Sequence, residues 1–310
     1  MAAGGEAVLM LGYGGPESFQ AVRPFVENVV RGRNVPAARI EAVVEQYRAI
    51  GGKSPFVELT RRQADALEQL LQSQGAHLPV YLGMLFSAPL ISQTLEQMLS
   101  DRVRQAAVII MAPHRCQASF GRYLESARSA AAGFEPGALK LEFVPAWHNH
   151  PLFIEAMAER LSQAMTRLDP AQRSYARVIF TAHSVPEEMP DASAYAEQIA
   201  ESARLVAISL GHENWSVAYT SRSGRADQAW LEPDVAAAIR AAKRAGVTAL
   251  AIAPIGFVCD HVEVLFDLDV QAAAVAKEAF LPMVRAATVG LHPRFIQLLA
   301  ELARARIGVA

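Results

Sequence analysis

Short, unbroken apolar runs alternate with amphipathic stretches along almost the whole chain. The runs are Ala7–Tyr13, Pro79–Leu85, Ala106–Met111, Leu141–Pro145, Arg177–Thr181, Ser216–Thr220, Val247–Pro254 and Pro282–Ala286. Most are rich in Val, Ile, Leu and Phe without polar alternation, the pattern of strands covered on both faces. Between them, Leu59–Gln74, Ile91–Leu99, Ile154–Leu168, Ala194–Leu210, Val235–Ala245 and Pro293–Ala305 carry helical periodicity. This alternation predicts α/β architecture with parallel sheets and helices on both faces.

Two four-stranded halves account for the runs better than one sheet. Each half opens with a strand that ends in a small-residue turn, Leu11-Gly-Tyr-Gly-Gly-Pro16 and Phe180-Thr-Ala-His-Ser-Val-Pro186. The matched layout predicts a first domain over 1–147 and a second over 148–290. The helix in 291–310 is expected to pack back on the first. Between Pro16 and Pro55 no strand pattern appears, only polar and helical stretches. An insertion over 16–55, after the first strand of a doubly wound unit, is expected to cover a ligand crevice.

Composition narrows the function classes. With 310 residues, of which 52% are hydrophobic, the chain can bury a large core. A net charge of −2 gives no basic face for nucleic acid. Cys116 and Cys259 are the only cysteines, which excludes a disulfide framework and a four-cysteine iron–sulfur cluster and fits a reducing cytoplasm. The start of the chain lacks a positive n-region, Ala7–Leu11 is too short for a signal peptide, and no run approaches the ~20 apolar residues that span a bilayer.

The candidate chemistry concentrates after strands. Beyond the run that ends near Pro254 lie His261, Glu263, Asp267 and Asp269. Glu263 and Asp267, four apart, share a helix face, and two like charges there call for a cation or a proton. His261 would point off that face. The apolar neighbours Val262, Val264, Leu265 and Phe266 are expected to raise the pKa of a carboxylate held among them. His183, at the end of another run, suits general-base work. Tyr13 ends the first strand, and its glycines would let a ligand approach the backbone. Neither G-x-G-x-x-G nor a Walker motif is present. Arg31, Arg33, Arg48 and Lys53, with Ser54, make an anion-friendly set in the insertion. His114, Ser119 and Tyr123 form a further strand-end group, in which a structural and a functional histidine are equally consistent. His148 and His150 have no metal-site spacing and read as surface.

These residues together resemble the ferrochelatase family, nearly end to end. The resemblance is carried by the Leu11–Pro16 turn, Arg31-Gly-Arg33, Tyr47 to Pro55, Thr181-Ala-His-Ser-Val-Pro186, Trp230-Leu-Glu-Pro233 and Pro254 to Asp269. It implies two similar Rossmann-like domains of chelatase type with a porphyrin cleft between them, and insertion of Fe2+ with release of two protons. It implies His183 and Glu263 as the catalytic, metal-facing pair, Asp267 as an outer metal or proton station, and Tyr13 as a metal- and porphyrin-binding residue on the opposite side of the ring. Arg31 and Ser54 match positions near the porphyrin propionates, and Tyr123 a cleft-lining position. Iron and porphyrin are substrates, and no resident cofactor, iron–sulfur cluster or nucleic acid is implied.

The Tyr13 turn, the Arg-Gly-Arg segment and the short C-terminus are similar to the coproporphyrin III enzymes of Gram-positive-type bacteria. Alternatives are a protoporphyrin IX ferrochelatase, a cobalt chelatase for sirohydrochlorin, and a non-catalytic haem- or porphyrin-binding protein. The chain also departs from the family pattern. Gln271 stands where a third acid is common, with Asp269 as its candidate substitute. Phe86-Ser-Ala-Pro89 stands where Lys-His or Trp-His is common. Val30 replaces a frequent arginine. A cytoplasmic monomer is expected.

Overall fold

The structure, a computed structural model, describes residues 5–222 and 228–308. The first four residues, part of the N-terminal reading, lie outside it. The chain divides into two compact units, one of Met1–Ala112, Ser119–Ala146 and Leu291–Ala310, the other of Pro113–Ala118 and Trp147–Gly290.

The first unit contains β1 (Glu6–Gly12), α1 (Phe19–Val29), α2 (Ala37–Ala49), α3 (Phe56–Ser73), β2 (Val80–Met84), α4 (Ile91–Ser100), β3 (Gln105–Ile110), α5 (Arg122–Ala131) and β4 (Lys140–Phe143). Its sheet has the order β2-β1-β3-β4, all parallel. Ala7 to Leu11 are fully buried, which is why this strand reads as a continuous apolar run. Leu9, Leu11, Ile91, Leu95, Val108 and Phe120 form one side of the core. The insertion after β1 contains helices α1 and α2 and no strand.

The second unit contains α6 (Pro151–Met165), α7 (Pro170–Arg173), β5 (Arg177–His183), α8 (Ala192–Ser209), β6 (Trp215–Thr220), α9 (Val235–Arg244), β7 (Leu250–Ala253), α10 (Val262–Leu265), α11 (Ala273–Glu278) and β8 (Met283–Arg285). A π-helical stretch, Asp267–Ala272, joins α10 to α11. The sheet order is β6-β5-β7-β8, again all parallel and the same winding as in the first unit. All eight apolar runs are therefore strands. β5 runs two residues further than its apolar run, so His183 is the last residue of the strand. β7 starts three residues later than its run, at Leu250.

After β8 the chain returns to the first unit as α12 (Pro293–Ile307), which packs on β3 and α3. Phe295, Leu298, Leu299 and Ala303 are its fully buried contacts. The segment Pro113–Ala118 belongs with the second unit rather than with residues 1–147. Two contacts to α8 hold it there. The Arg115 N–H donates to Gln198 Oε1 at 2.8 Å, and His114 Nε2 lies 3.0 Å from Ser202 Oγ.

Candidate active site

In the second unit, strand order reverses between β5 and β7, and open α/β sheets bind ligands past the strand ends at such a point. His183 ends β5 and Glu263 follows β7, so both project from that switch point. Their separation in sequence is closed by the β5–β7 pairing, which aligns Arg177 with Leu250 and Phe180 with Ala253. Beyond β7 the chain crosses directly over β5. The Gly256 N–H donates to the Thr181 carbonyl at 3.0 Å, and a Cβ on Gly256 would stand 2.6 Å from Ala182 Cβ. Only glycine permits this approach.

His183 Nδ1 lies 3.0 Å from Glu263 Oε2, with about a third of each side chain exposed. Desolvation is the largest influence on both groups and favours their neutral forms. The opposing charge of each, together with their hydrogen bond, outweighs it. His183 is raised above the ordinary histidine value, with Asp267 contributing, and Glu263 falls to about 2. The expectation of a raised pKa for this carboxylate is therefore reversed. The apolar neighbours do desolvate it, but an imidazole from a distant strand holds it ionised.

His261 also joins the group. Its backbone is extended (φ −158°, ψ −173°), so it precedes the helix instead of lying on it, and its Nε2 stands 3.8 Å from Glu263 Oε2. The helix-face argument that placed it elsewhere does not apply. Its ring meets Phe257 edge-on at 4.9 Å. Asp267, buried, accepts a hydrogen bond from the Ser221 hydroxyl, and the same hydroxyl helps to lower the Glu263 pKa. Ser221 directly follows β6 with φ 63°, a left-handed conformation rare for serine, and such strain is characteristic of functional positions. Sequence reasoning missed Ser221; the signal was its place at a third strand end. Tyr195 Oη donates to the His183 carbonyl at 3.0 Å and fixes the end of β5.

Asp269 is already engaged. Arg285 Nε and Nη2 donate to its two oxygens at 2.6 and 2.7 Å, and Gln271 is exposed. His148 and His150 are not plain surface residues. His148 Nε2 is 2.8 Å from Glu201 Oε2, and His150 Nδ1 accepts the Leu152 N–H to cap α6. His114 is buried, and that burial, aided by His148, pushes its pKa down to about 3. Cys116 and Cys259 are both free and buried.

In the first unit, Tyr13 follows β1, at the point where that sheet also reverses order. Its ring lies 4.8 Å from Phe86, and the Arg122 guanidinium stands 4.9 Å over the other partner of this pair, Phe86. Arg122 is a cation that sequence reasoning passed over in favour of its neighbour. Tyr123 itself is buried in the core with Phe120 and Ala127. The glycines beside Tyr13 serve internal packing rather than an open backbone. A Cβ on Gly14 would stand 2.4 Å from Ser87 Oγ, and one on Gly15 would stand 2.8 Å from Ser54 Cβ. Ser54 is buried, and its hydroxyl accepts the Phe56 N–H at 3.2 Å. Arg31, Arg33 and Lys53 are exposed, whereas Arg48 pairs with Glu45 and covers the Phe19 ring at 5.0 Å.

Two parallel sheets of identical order, with a histidine–carboxylate couple at a switch point, define a chelatase fold. SirB from Bacillus subtilis with Fe3+ has this fold, with a TM-score of 0.61 at 13% identity over 100% of this chain and 98% of its own. The sirohydrochlorin chelatase SirB from Bacillus subtilis subspecies spizizenii, in complex with cobalt, matches at a TM-score of 0.56, with 13% identity over 99% and 96% of the two chains. At that identity the likeness concerns the fold alone. The particular family follows from sequence: the ferrochelatase family model matches residues 5–307, and the chain belongs to that family. It is 40% identical to a ferrochelatase of Rhodopirellula baltica over 98% of this chain and 86% of the relative. It is 41% identical to the coproporphyrin III ferrochelatase of Mycobacterium avium over 96% and 87%, and 39% identical to that of Mycobacteroides abscessus over the same shares. As a ferrochelatase it is a lyase of haem biosynthesis that acts on ferrous iron and a porphyrin.

Proposed function

We propose that the chain inserts Fe2+ into coproporphyrin III, with His183 and Glu263 as the catalytic couple. The 3.0 Å contact between His183 Nδ1 and Glu263 Oε2 carries the reading. In the neutral imidazole, Nδ1–H donates to the carboxylate and leaves the Nε2 lone pair to take a pyrrole proton. The imidazolium so formed is stabilised by Glu263, the same effect that raises the His183 pKa. His183 takes the two pyrrole protons in turn, passing the first to solvent before it accepts the second, and the dianionic ring that remains takes the cation on its four nitrogens. Glu263, ionised throughout the neutral range, offers negative charge to the incoming iron. Asp267, which accepts the Ser221 hydroxyl, is the outer station.

Tyr13 contributes to porphyrin binding from the first unit. Arg31, exposed, and Arg122, beside the Tyr13–Phe86 pair, are the cations best suited to propionates. Four propionates make coproporphyrin the better match for such groups, and the names of the mycobacterial relatives support the same choice. Tyr123 and Ser54 support the site from within the unit. No helix among the described residues is long and apolar enough to cross a membrane. Two buried free thiols agree with a cytoplasmic protein; we place it there as a monomer without a resident cofactor, which sedimentation of the pure protein checks.

Anaerobic assays with Fe2+ test the function. Coproporphyrin III should be metallated faster than protoporphyrin IX, and the reverse order would overturn the substrate assignment. The variant His183→Ala should lose metallation by roughly a hundredfold or more while retaining porphyrin binding. Near-normal turnover in that variant would remove His183 from the mechanism.

A further inference from the structure

Resting on the function just proposed, we propose that Arg285 is a positioning residue for metallation, whose guanidinium staples together Asp260 and Asp269, the two ends of the segment that carries His261, Glu263 and Asp267. That segment has little regular structure of its own. His261 is extended, α10 is a single turn, and the π-helical stretch begins at Asp267. Backbone hydrogen bonds of such short pieces do not hold side chains to the tolerance that catalysis needs.

Arg285 supplies the missing constraint. Nε and Nη2 bind the two Asp269 oxygens at 2.6 and 2.7 Å, the bidentate geometry that fixes orientation as well as distance. Nη1 and Nη2 reach the two Asp260 oxygens at 3.4 and 3.5 Å, and Thr288 Oγ1 donates to Asp260 Oδ1 at 3.1 Å. The anchor is itself rigid. Arg285 is the last residue of β8, paired in register with Ile252 of β7, and its carbonyl accepts Arg167 Nη2 at 2.5 Å. Its side chain is only 15% exposed. The clamp thus refers Glu263 and Asp267 to the sheet from which His183 also projects. It gives Asp269 a mechanical role in place of the metal-binding one that its acidity suggests.

The test uses the full chain with Arg285→Met, Arg285→Lys and Asp269→Asn. Steady-state metallation is followed beside porphyrin binding and amide hydrogen exchange. A staple predicts that Arg285→Met lowers kcat by roughly tenfold with the KM for Fe2+ and porphyrin affinity little changed. Arg285→Lys, able to hold one carboxylate, should recover part of that loss, and Asp269→Asn should also act on kcat. Exchange over residues 261–268 should accelerate in Arg285→Met while β5 stays protected. A raised KM for Fe2+ with normal kcat in Asp269→Asn would make Asp269 a metal contact and overturn the proposal. Unchanged exchange over 261–268 in Arg285→Met would do the same. If the wild type metallates no porphyrin, the functional assignment fails separately, and the exchange comparison still decides the staple.

Discussion

His183 and Glu263 titrate as one couple, and their shifts fix how the folded state responds to pH. His183 has a raised pKa, so its share of stability is fully present below the ordinary histidine value of 6.5 and is lost as pH rises through the raised value. Glu263 is depressed, so its share is present above 4.5 and is lost as pH falls toward about 2. Both shares coexist between 4.5 and 6.5. The substitution Glu263→Gln should therefore cost most stability in that window. About 1 kcal/mol is expected, because water screens a pair with a third of its side chains exposed. Thermal melts of wild type and variant at stepped pH should diverge by about 2 °C near pH 5.5 and converge at both extremes; a constant gap would count against the coupling. At this scale the motifs exposed the two partners, but not their charge states. The neighbours of Glu263 in sequence pointed to a raised pKa, and the imidazole that reverses the shift belongs to another strand.

Among the elements, the turn after β7 decides whether the couple forms. Gly256 passes so close to β5 that an added Cβ would meet both the Cβ and, at 2.8 Å, the Cα of Ala182. Backbone on one side and a strand on the other leave no flexible group to yield. Gly256→Ala should destabilise the fold by ~2 kcal/mol through overpacking. It should also lower kcat, because Ala182 immediately precedes His183. Urea melts and metallation assays on the same preparation measure both effects. Stability loss with unchanged kcat would show that the strain relaxes away from the site. The strands were legible here because burial on both faces leaves an apolar run in sequence. Helix α10 was legible only as acids at helical spacing. Its single turn, the extended His261 before it and the π-helical stretch after it depend on tertiary contacts. The glycines around Tyr13 invited a ligand-facing reading because sequence does not show that Ser54 and Ser87 fill the space beside them.

On the scale of the whole molecule, the last helix belongs to the unit that the chain begins with. Leu298 and Leu299 of α12 are fully buried in the first unit. Leu298→Ala should cost ~3 kcal/mol, within the usual range for a buried leucine truncated to alanine. Hydrogen exchange should then rise in β1 to β4 more than in β5 to β8. Equal loosening of both sheets would show that the units unfold together.

The sequence by itself determined the α/β class, the eight strands and the two parallel sheets, and it placed His183 and Glu263 each after a strand; their pairing came only through the family resemblance. Burial periodicity and strand-end motifs are local and survive in one dimension. Only the tertiary structure decided that His261 and Ser221 join the couple, that Glu263 is held ionised, that Pro113–Ala118 belongs with the second unit, and that Asp269 is claimed by Arg285. Each of these depends on the partner that a side chain meets across the fold. In a doubly wound sheet that partner is set by which strand ends the winding brings together, so distance along the chain does not reveal it.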